Sequence, residues 1–252
     1  MLVRLIAVLA VLVYLCYNAP VLAAEDRPDR WESPFFIRSI VDKEGKKIGK
    51  ASSGFLVRRG EQVYLATARH VSEESSADSI VSFSIGDSSV NVKLADLGLS
   101  SENPWLTKPS YDVTVLPVSH KLLAAAVAVP LENCRRDLPP ARTTLEVVGF
   151  PMGLGVQGPD LSPIVMEAKL ASGEINDPFK QEGQRIVVCV PALADGSSGS
   201  PVFASIEEDR WRLIGAHSGN LIDSSGGKLA KFVPAHALID LVEDHAASEK
   251  TE

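Results

Sequence analysis

Apolar residues along most of this chain recur at every second position or run in short unbroken blocks, and neither pattern has the period of a helix. Leu145 and Val147 flank Glu146, and Trp211 and Leu213 flank Arg212. Successive side chains of an extended chain point to opposite faces, so this spacing predicts strands with one face on a core. "FFIRSIV" (Phe35–Val41) leads into the turn "DKEGKK", and "SGFLVRRGEQVYLATARHV" reads as a hairpin turning near Arg58-Arg59-Gly60-Glu61. "SIVSFSIG", "SVNVKLADL", "DVTVLPV", "TLEVVGF", "IVVCV", "PVFASIE", "RWRLIGAHS" and "KLAKFVP" continue the series, each short and bounded by turn formers. Many short strands so spaced predict a sandwich or barrel rather than alternating strands and helices.

Two stretches break the pattern. "VSHKLLAAAVAV" (Val118–Val129) reads either as a short helix or as an apolar linker. "PAHALIDLVEDH" predicts a helix: Pro234 suits a first turn, and Leu238, Leu241, Val242 and His245 share one face. The closing "AASEKTE" is expected to fray. The stretch 119–142, with Pro130, Pro139 and Pro140, is the expected boundary between two β units, placed at 25–128 and 129–252.

The first residues belong to neither unit. "MLVRLIAVLAVLVYLCYNAPVLAAED" has one early cation, Arg4, an apolar run from Leu5 to Tyr17, then Pro20 and the small residues Ala23 and Ala24. That order predicts a secretory signal peptide over residues 1–24. The run is short for a membrane span, and an uncleaved anchor is the alternative. Export places the mature protein in a secreted or periplasmic location, free of the membrane.

Composition narrows the partners. The 252 residues are 45% hydrophobic and 23% charged, ordinary for a globular protein, with net charge −7. No basic cluster is present, so nucleic acid is not an expected partner. No Cys/His spacing suggests zinc and no glycine-rich loop resembles a phosphate cradle, so neither metal nor cofactor is expected. Cys134 and Cys189 remain after cleavage, and a disulfide and two separate thiols both stay open. Nothing in the sequence signals an oligomeric state.

Three polar residues stand at strand edges where core packing does not explain them. His70 ends "YLATARHV", Asp112 opens "DVTVLPV", and Ser198 lies in "ADGSSGSPVF", where flexible residues abut a buried strand. Asp96 and Asp87 compete with Asp112, but neither opens a Val-rich strand. Acyl transfer needs this set: a serine is a weak nucleophile, a base must activate it, and an acid must orient the base. Backbone N–H groups must also meet the oxyanion, and glycines let a loop aim them.

"TARH" around His70, "YDVTVLP" around Asp112 and "GSSGSPVF" around Ser198 resemble the trypsin-like (chymotrypsin-fold) serine proteases, especially their bacterial branch. The order His, Asp, Ser matches, as do "SGFLV" before the histidine, "VGFPMG" (Val148–Gly153) and "LIGAHSG" (Leu213–Gly219). The resemblance covers roughly Phe35 to Val242. It implies an all-β fold of two six-stranded antiparallel β-barrels with a C-terminal helix. It also implies His70, Asp112 and Ser198 as the triad of a serine endopeptidase acting on proteins or peptides. Gly196 and Ser198 would be oxyanion donors, and Ser218 would lie beside the substrate backbone.

Departures from the family pattern carry their own expectations. Ser197 stands where animal digestive members carry the acid that captures a new N-terminus, so that mode of activation is not expected. The substrate pocket would be walled by Ala192-Leu193-Ala194 and by Ala216-His217-Ser218-Gly219, with no acid at its base. That argues against Arg or Lys and favours a small or medium apolar side chain. "LIGAHSG" also resembles the glutamyl endopeptidases, in which such a histidine helps to bind an acidic side chain. Those enzymes carry a hydroxyl residue where this chain has Leu193. His217 as a packed strand residue is the plainer reading. His120, His236 and His245 read as ordinary surface or helix residues. Two other functions remain alternatives: a non-catalytic binding module on the same fold, and a serine esterase, since Gly196-Ser197-Ser198-Gly199 half-matches a nucleophile elbow.

Overall fold

The computed structural model describes residues 29–43, 46–86, 88–118, 121–157, 160–180, 183–207 and 210–249. The predicted signal peptide, Asp87 and His120 lie outside them.

The first unit contains β1 (Pro34–Lys43), β2 (Lys46–Arg59), β3 (Gln62–Thr67), β4 (Ile80–Ile85), β5 (Ser88–Lys93), β6 (Leu106–Thr107), β7 (Thr114–Val118) and β8 (Val129–Pro130). They form one sheet in the order β5-β4-β1-β2-β3-β7-β6, with β8 joining β2 in parallel. The second unit contains β9 (Thr144–Gly149), β10 (Ile164–Asn176), β11 (Arg185–Val190), β12 (Pro201–Glu207), β13 (Arg210–Ile222) and β14 (Lys228–Pro234). These close into a barrel, β10-β11-β14-β13-β12-β9. The all-β fold of two β units is thus what forms. The second is the expected six-stranded barrel, while in the first the two-residue β6 and β8 extend a sheet of six longer strands. The chain passes between the units after Pro130 and before Thr144, within the proline-rich stretch.

Three apolar cores explain the mixture of alternating and continuous patterns. In β3, Val63 and Leu65 face the first unit's interior with Phe35, Leu56 and Leu116. Tyr64 and Ala66, on the other face, meet Val148, Phe203, Leu213 and Val233 of the second unit. A strand buried on both faces loses alternation. Leu145, Val147, Leu170, Ile214 and Phe232 fill the second barrel. Glu146, between Leu145 and Val147, points outward as the period of two requires. It accepts Arg30 Nε at 2.8 Å and Trp31 Nε1 at 2.9 Å from the short helix α1 (Asp29–Glu32).

The hairpin β2–β3 turns at Gly60-Glu61, as expected. The ambiguous stretch after β7 contains a 3-10 turn at Lys121–Ala124. The C-terminal helix α3 spans Ala235–Ser248, with Pro234 at its N-cap. Leu238, Leu241 and Val242 pack it against the shared core, and Tyr64 Oη meets His245 Nδ1 at 3.2 Å. Cys134 and Cys189 are free thiols in different cores. Burial pushes both up to about 12.

Candidate active site

His70 follows β3 on a single helical turn, α2 (Arg69–Glu73). Its backbone N–H donates to Asp112 Oδ1 at 3.0 Å, and its Nδ1 lies 2.8 Å from Asp112 Oδ2. One carboxylate therefore fixes both the chain and the ring of one residue. With Nδ1–H given to Asp112, Nε2 carries the free lone pair. The histidine side chain is 42% exposed and the aspartate 17%, so the pair opens to solvent on the imidazole side.

The segment before Asp112 is tied to the second unit. Lys108 Nζ meets Asp240 Oδ2 at 2.5 Å, and Arg185 N–H donates to Ser110 O at 2.9 Å. Tyr111 Oη donates to Glu174 Oε1 at 2.9 Å. Glu174 also receives Arg185 Nε at 3.1 Å and meets His236 Nε2 at 3.0 Å. Burial works to raise the Glu174 carboxyl, but its bonds to His236, Tyr111 and Arg185 outweigh that and hold it low. Burial, then the bond to Glu174, pushes the Tyr111 phenol up to about 12. His236, expected to be an ordinary helix residue, is a member of this cluster.

The serine loop lies between β11 and β12. Its carbonyls at 195–198 are each spoken for. Asp195 O accepts Met152 N–H at 2.6 Å, and Gly196 O accepts Ser53 Oγ–H at 2.9 Å. Ser197 O accepts Ser200 N–H at 3.0 Å, and Ser198 O accepts Ser53 N–H at 2.9 Å. The N–H groups alternate. Ser197 donates to Ala194 O and Gly199 to His217 O. Among the described residues, the N–H groups of Gly196 and Ser198 donate to no backbone carbonyl. Gly199 has φ +87°, and a Cβ there would lie 2.0 Å from Ser53 O, so this position requires glycine.

Of the three serines, Ser198 alone is not buried. Ser197 Oγ points at Met166 Sδ, 3.6 Å away, and Ser200 Oγ is buried without a partner. No hydrogen bond joins Ser198 Oγ to His70 among the described residues; such bonds are often long before substrate arrives.

The expected pocket residues fall into two groups. Leu193 packs its side chain into the second barrel's core. Its backbone N–H and C=O pair with Asn220 Oδ1 at 3.1 Å and Nδ2 at 2.7 Å, tying one wall to the other. Ser218 is buried, and Gly219, with φ +116°, has open space where a Cβ would stand. His217 is 1% exposed. Backbone of Ser197 and Gly219 lies beside its ring and works to raise its pKa, but at neither ring nitrogen does the geometry make a full hydrogen bond among the described residues. Burial, above all, holds its pKa down to about 4, so the imidazole is neutral near pH 7.

Two features escaped the sequence reading. Ser53 lies inside "SSGFLV", where a serine in an apolar strand was a signal without a stated partner. Lys231, on β14, and Asp177, just after β10, form a buried ion pair at 2.5 Å; their separation along the chain hid it.

A trypsin-like peptidase domain matches residues 52–215, more than half of the chain and a span that includes His70, Asp112 and Ser198. A search of curated proteins found no match. Among solved structures, an HtrA-type protease with a tripeptide aligns at TM-score 0.61 and 16% identity, over 84% of this chain. This chain spans 60% of that protein's length. The Rv3671c protease from M. tuberculosis, active form, aligns at TM-score 0.56 and 18% identity, over 91% of this chain and 85% of that one. The MamO protease domain from Magnetospirillum magneticum aligns at TM-score 0.58 and 12% identity, over 84% and 96%. These likenesses agree with the fold, and the domain match supplies the kinship: this chain belongs to the trypsin-like peptidase family.

Proposed function

We propose that the protein is an exported serine endopeptidase that hydrolyses peptide bonds through an acyl-enzyme. The observation that carries this reading is the pair of hydrogen bonds from His70 to Asp112, together with a serine loop in which, among the described residues, the Gly196 and Ser198 N–H groups donate to no backbone carbonyl. Ser198 Oγ attacks the substrate carbonyl as His70 Nε2 takes its proton. Asp112 holds the ring by Nδ1–H and stabilises the imidazolium that forms. The oxyanion takes the N–H groups of Gly196 and Ser198. His70 then protonates the leaving amine, and a water repeats the sequence to release the acyl group.

The substrate backbone would lie along Ser218 and Gly219, with Leu193 and His217 behind the side chain before the cut bond. Neutral His217 offers no positive charge to a carboxylate, and the small, apolar wall at 192–194 suits a small or medium apolar residue. Export is supported by the sequence of residues 1–24. No step requires a metal or cofactor.

A fluorophosphonate probe tests the reading: it should label the wild-type protein and not Ser198→Ala. A folded wild-type protein that resists labelling and cleaves no peptide library would instead favour a binding module. Mass spectrometry of the exported protein should find a start near Ala24 or Glu25.

A further inference from the structure

The loop that offers Gly196 and Ser198 N–H groups is held by residues outside it, and Ser53, from the first unit, holds two of its carbonyls. Ser53, fully buried on β2, donates its hydroxyl to Gly196 O at 2.9 Å. The same oxygen accepts Phe150 N–H at 2.8 Å, and Ser53 N–H donates to Ser198 O at 2.9 Å. Ser53 O accepts Thr67 Oγ1–H at 2.7 Å, which anchors the residue to β3 just before His70.

A peptide unit is a rigid plane, with its N–H pointing opposite its C=O. Fixing a carbonyl therefore fixes an N–H direction. Gly196 O belongs to the peptide between the two candidate donors, and Ser198 O to the peptide that follows them. Ser53 holds both, from the first unit. Met152 N–H, on Asp195 O, holds the peptide that carries the Gly196 N–H, and Phe150, two residues earlier, is itself bound by the Ser53 hydroxyl. Phe150 and the serine loop thus share one hydroxyl as their joint.

We propose that Ser53 is a positioning residue for catalysis: its hydroxyl sets the loop so that the N–H groups of Gly196 and Ser198 converge on the substrate oxyanion. It touches neither substrate nor reacting atoms. Alanine there would leave the buried Phe150 N–H and the partly buried Gly196 O without this partner, a costly state that the loop can relieve by turning its peptides. The inference rests on the proposed role of Ser198.

The test compares wild type with Ser53→Ala, Ser53→Gly and Ser53→Thr. Fluorophosphonate titration counts competent sites, so turnover is expressed per titrated site whatever fraction folds. Ser53→Ala and Ser53→Gly should lower kcat by about 10- to 100-fold, less than the loss of an oxyanion donor itself, with KM within about twofold. A peptide boronate, which places an anionic oxygen in the hole, should lose affinity by the same factor as kcat/KM, while a cleaved product peptide binds as before. Ser53→Thr keeps the hydroxyl and should recover most of kcat. Wild-type turnover per site in Ser53→Ala, or a rise in KM alone, overturns the inference and leaves the triad reading standing. A wild-type protein that is not labelled, or an active Ser198→Ala, overturns both.

Discussion

Tyr111, the residue before Asp112, gives its hydroxyl to Glu174 of the second barrel at 2.9 Å. The acid that orients His70 is thus steadied from the unit that carries Ser198. A strand end held at one side alone would let the carboxylate drift, and sub-ångström placement matters to catalysis. Tyr111→Phe should lower kcat about threefold to tenfold with little change in KM, and Glu174→Ala should do at least as much. Because the two act through one bond, the double variant should be no worse than the poorer single one. Additive losses would show that the bond is incidental.

The three serines of the loop should separate sharply. Ser198→Ala is expected to lower kcat by several orders of magnitude while leaving thermal stability nearly intact. Ser197→Ala and Ser200→Ala remove buried hydroxyls that bind a thioether or nothing, and should cost far less activity. Steady-state kinetics with thermal melts on all three variants checks this. Equal losses at all three would mean that the nucleophile is misassigned.

His217 makes stability depend on pH. Its pKa falls from 6.5 to about 4 on folding, because burial disfavours the charged ring. Between those values the unfolded chain binds the proton more readily than the folded one, so stability falls as pH drops through this window. Above pH 6.5 both states hold it neutral and the effect is absent. The full loss approaches about 3 kcal/mol. Urea unfolding at pH 7, 5.5 and 4.5 should show the decline, and His217→Leu should flatten it. An equal slope in the variant would assign the decline to other groups.

Lys231 and Asp177 are both nearly inaccessible, at 8% and 0% side-chain exposure. Removing one partner strands the other charge away from water. Lys231→Met or Asp177→Ala should each destabilise by about 3–5 kcal/mol, and the double apolar replacement should recover much of that. Chemical denaturation of the three variants measures it. Single variants within 1 kcal/mol of wild type, roughly the value of an exposed pair, would contradict the burial argument.

Much of the fold was legible in short-range pattern. The period of two, the turn at Gly60-Glu61 and the helical face of Leu238, Leu241 and Val242 are properties of neighbouring residues, and each appears where the spacing put it. The candidate site could be picked out for a related reason. Catalysis asks for particular residue types, and His70, Asp112 and Ser198 stand in strand-edge contexts that packing leaves unexplained. Tertiary structure decided what depends on contact between distant segments. Cys134 and Cys189 fell into separate cores, and His217 came to rest with no full hydrogen bond at its ring among the described residues. His236 became a partner of Glu174 because the start of α3 lands beside β10. Ser53 meets Gly196 and Phe150 because β2 passes close to a loop some 140 residues away, near enough for one hydroxyl to bridge two backbones. Local patterning sets which way a side chain points; what it meets there is set by how the two β units pack against each other.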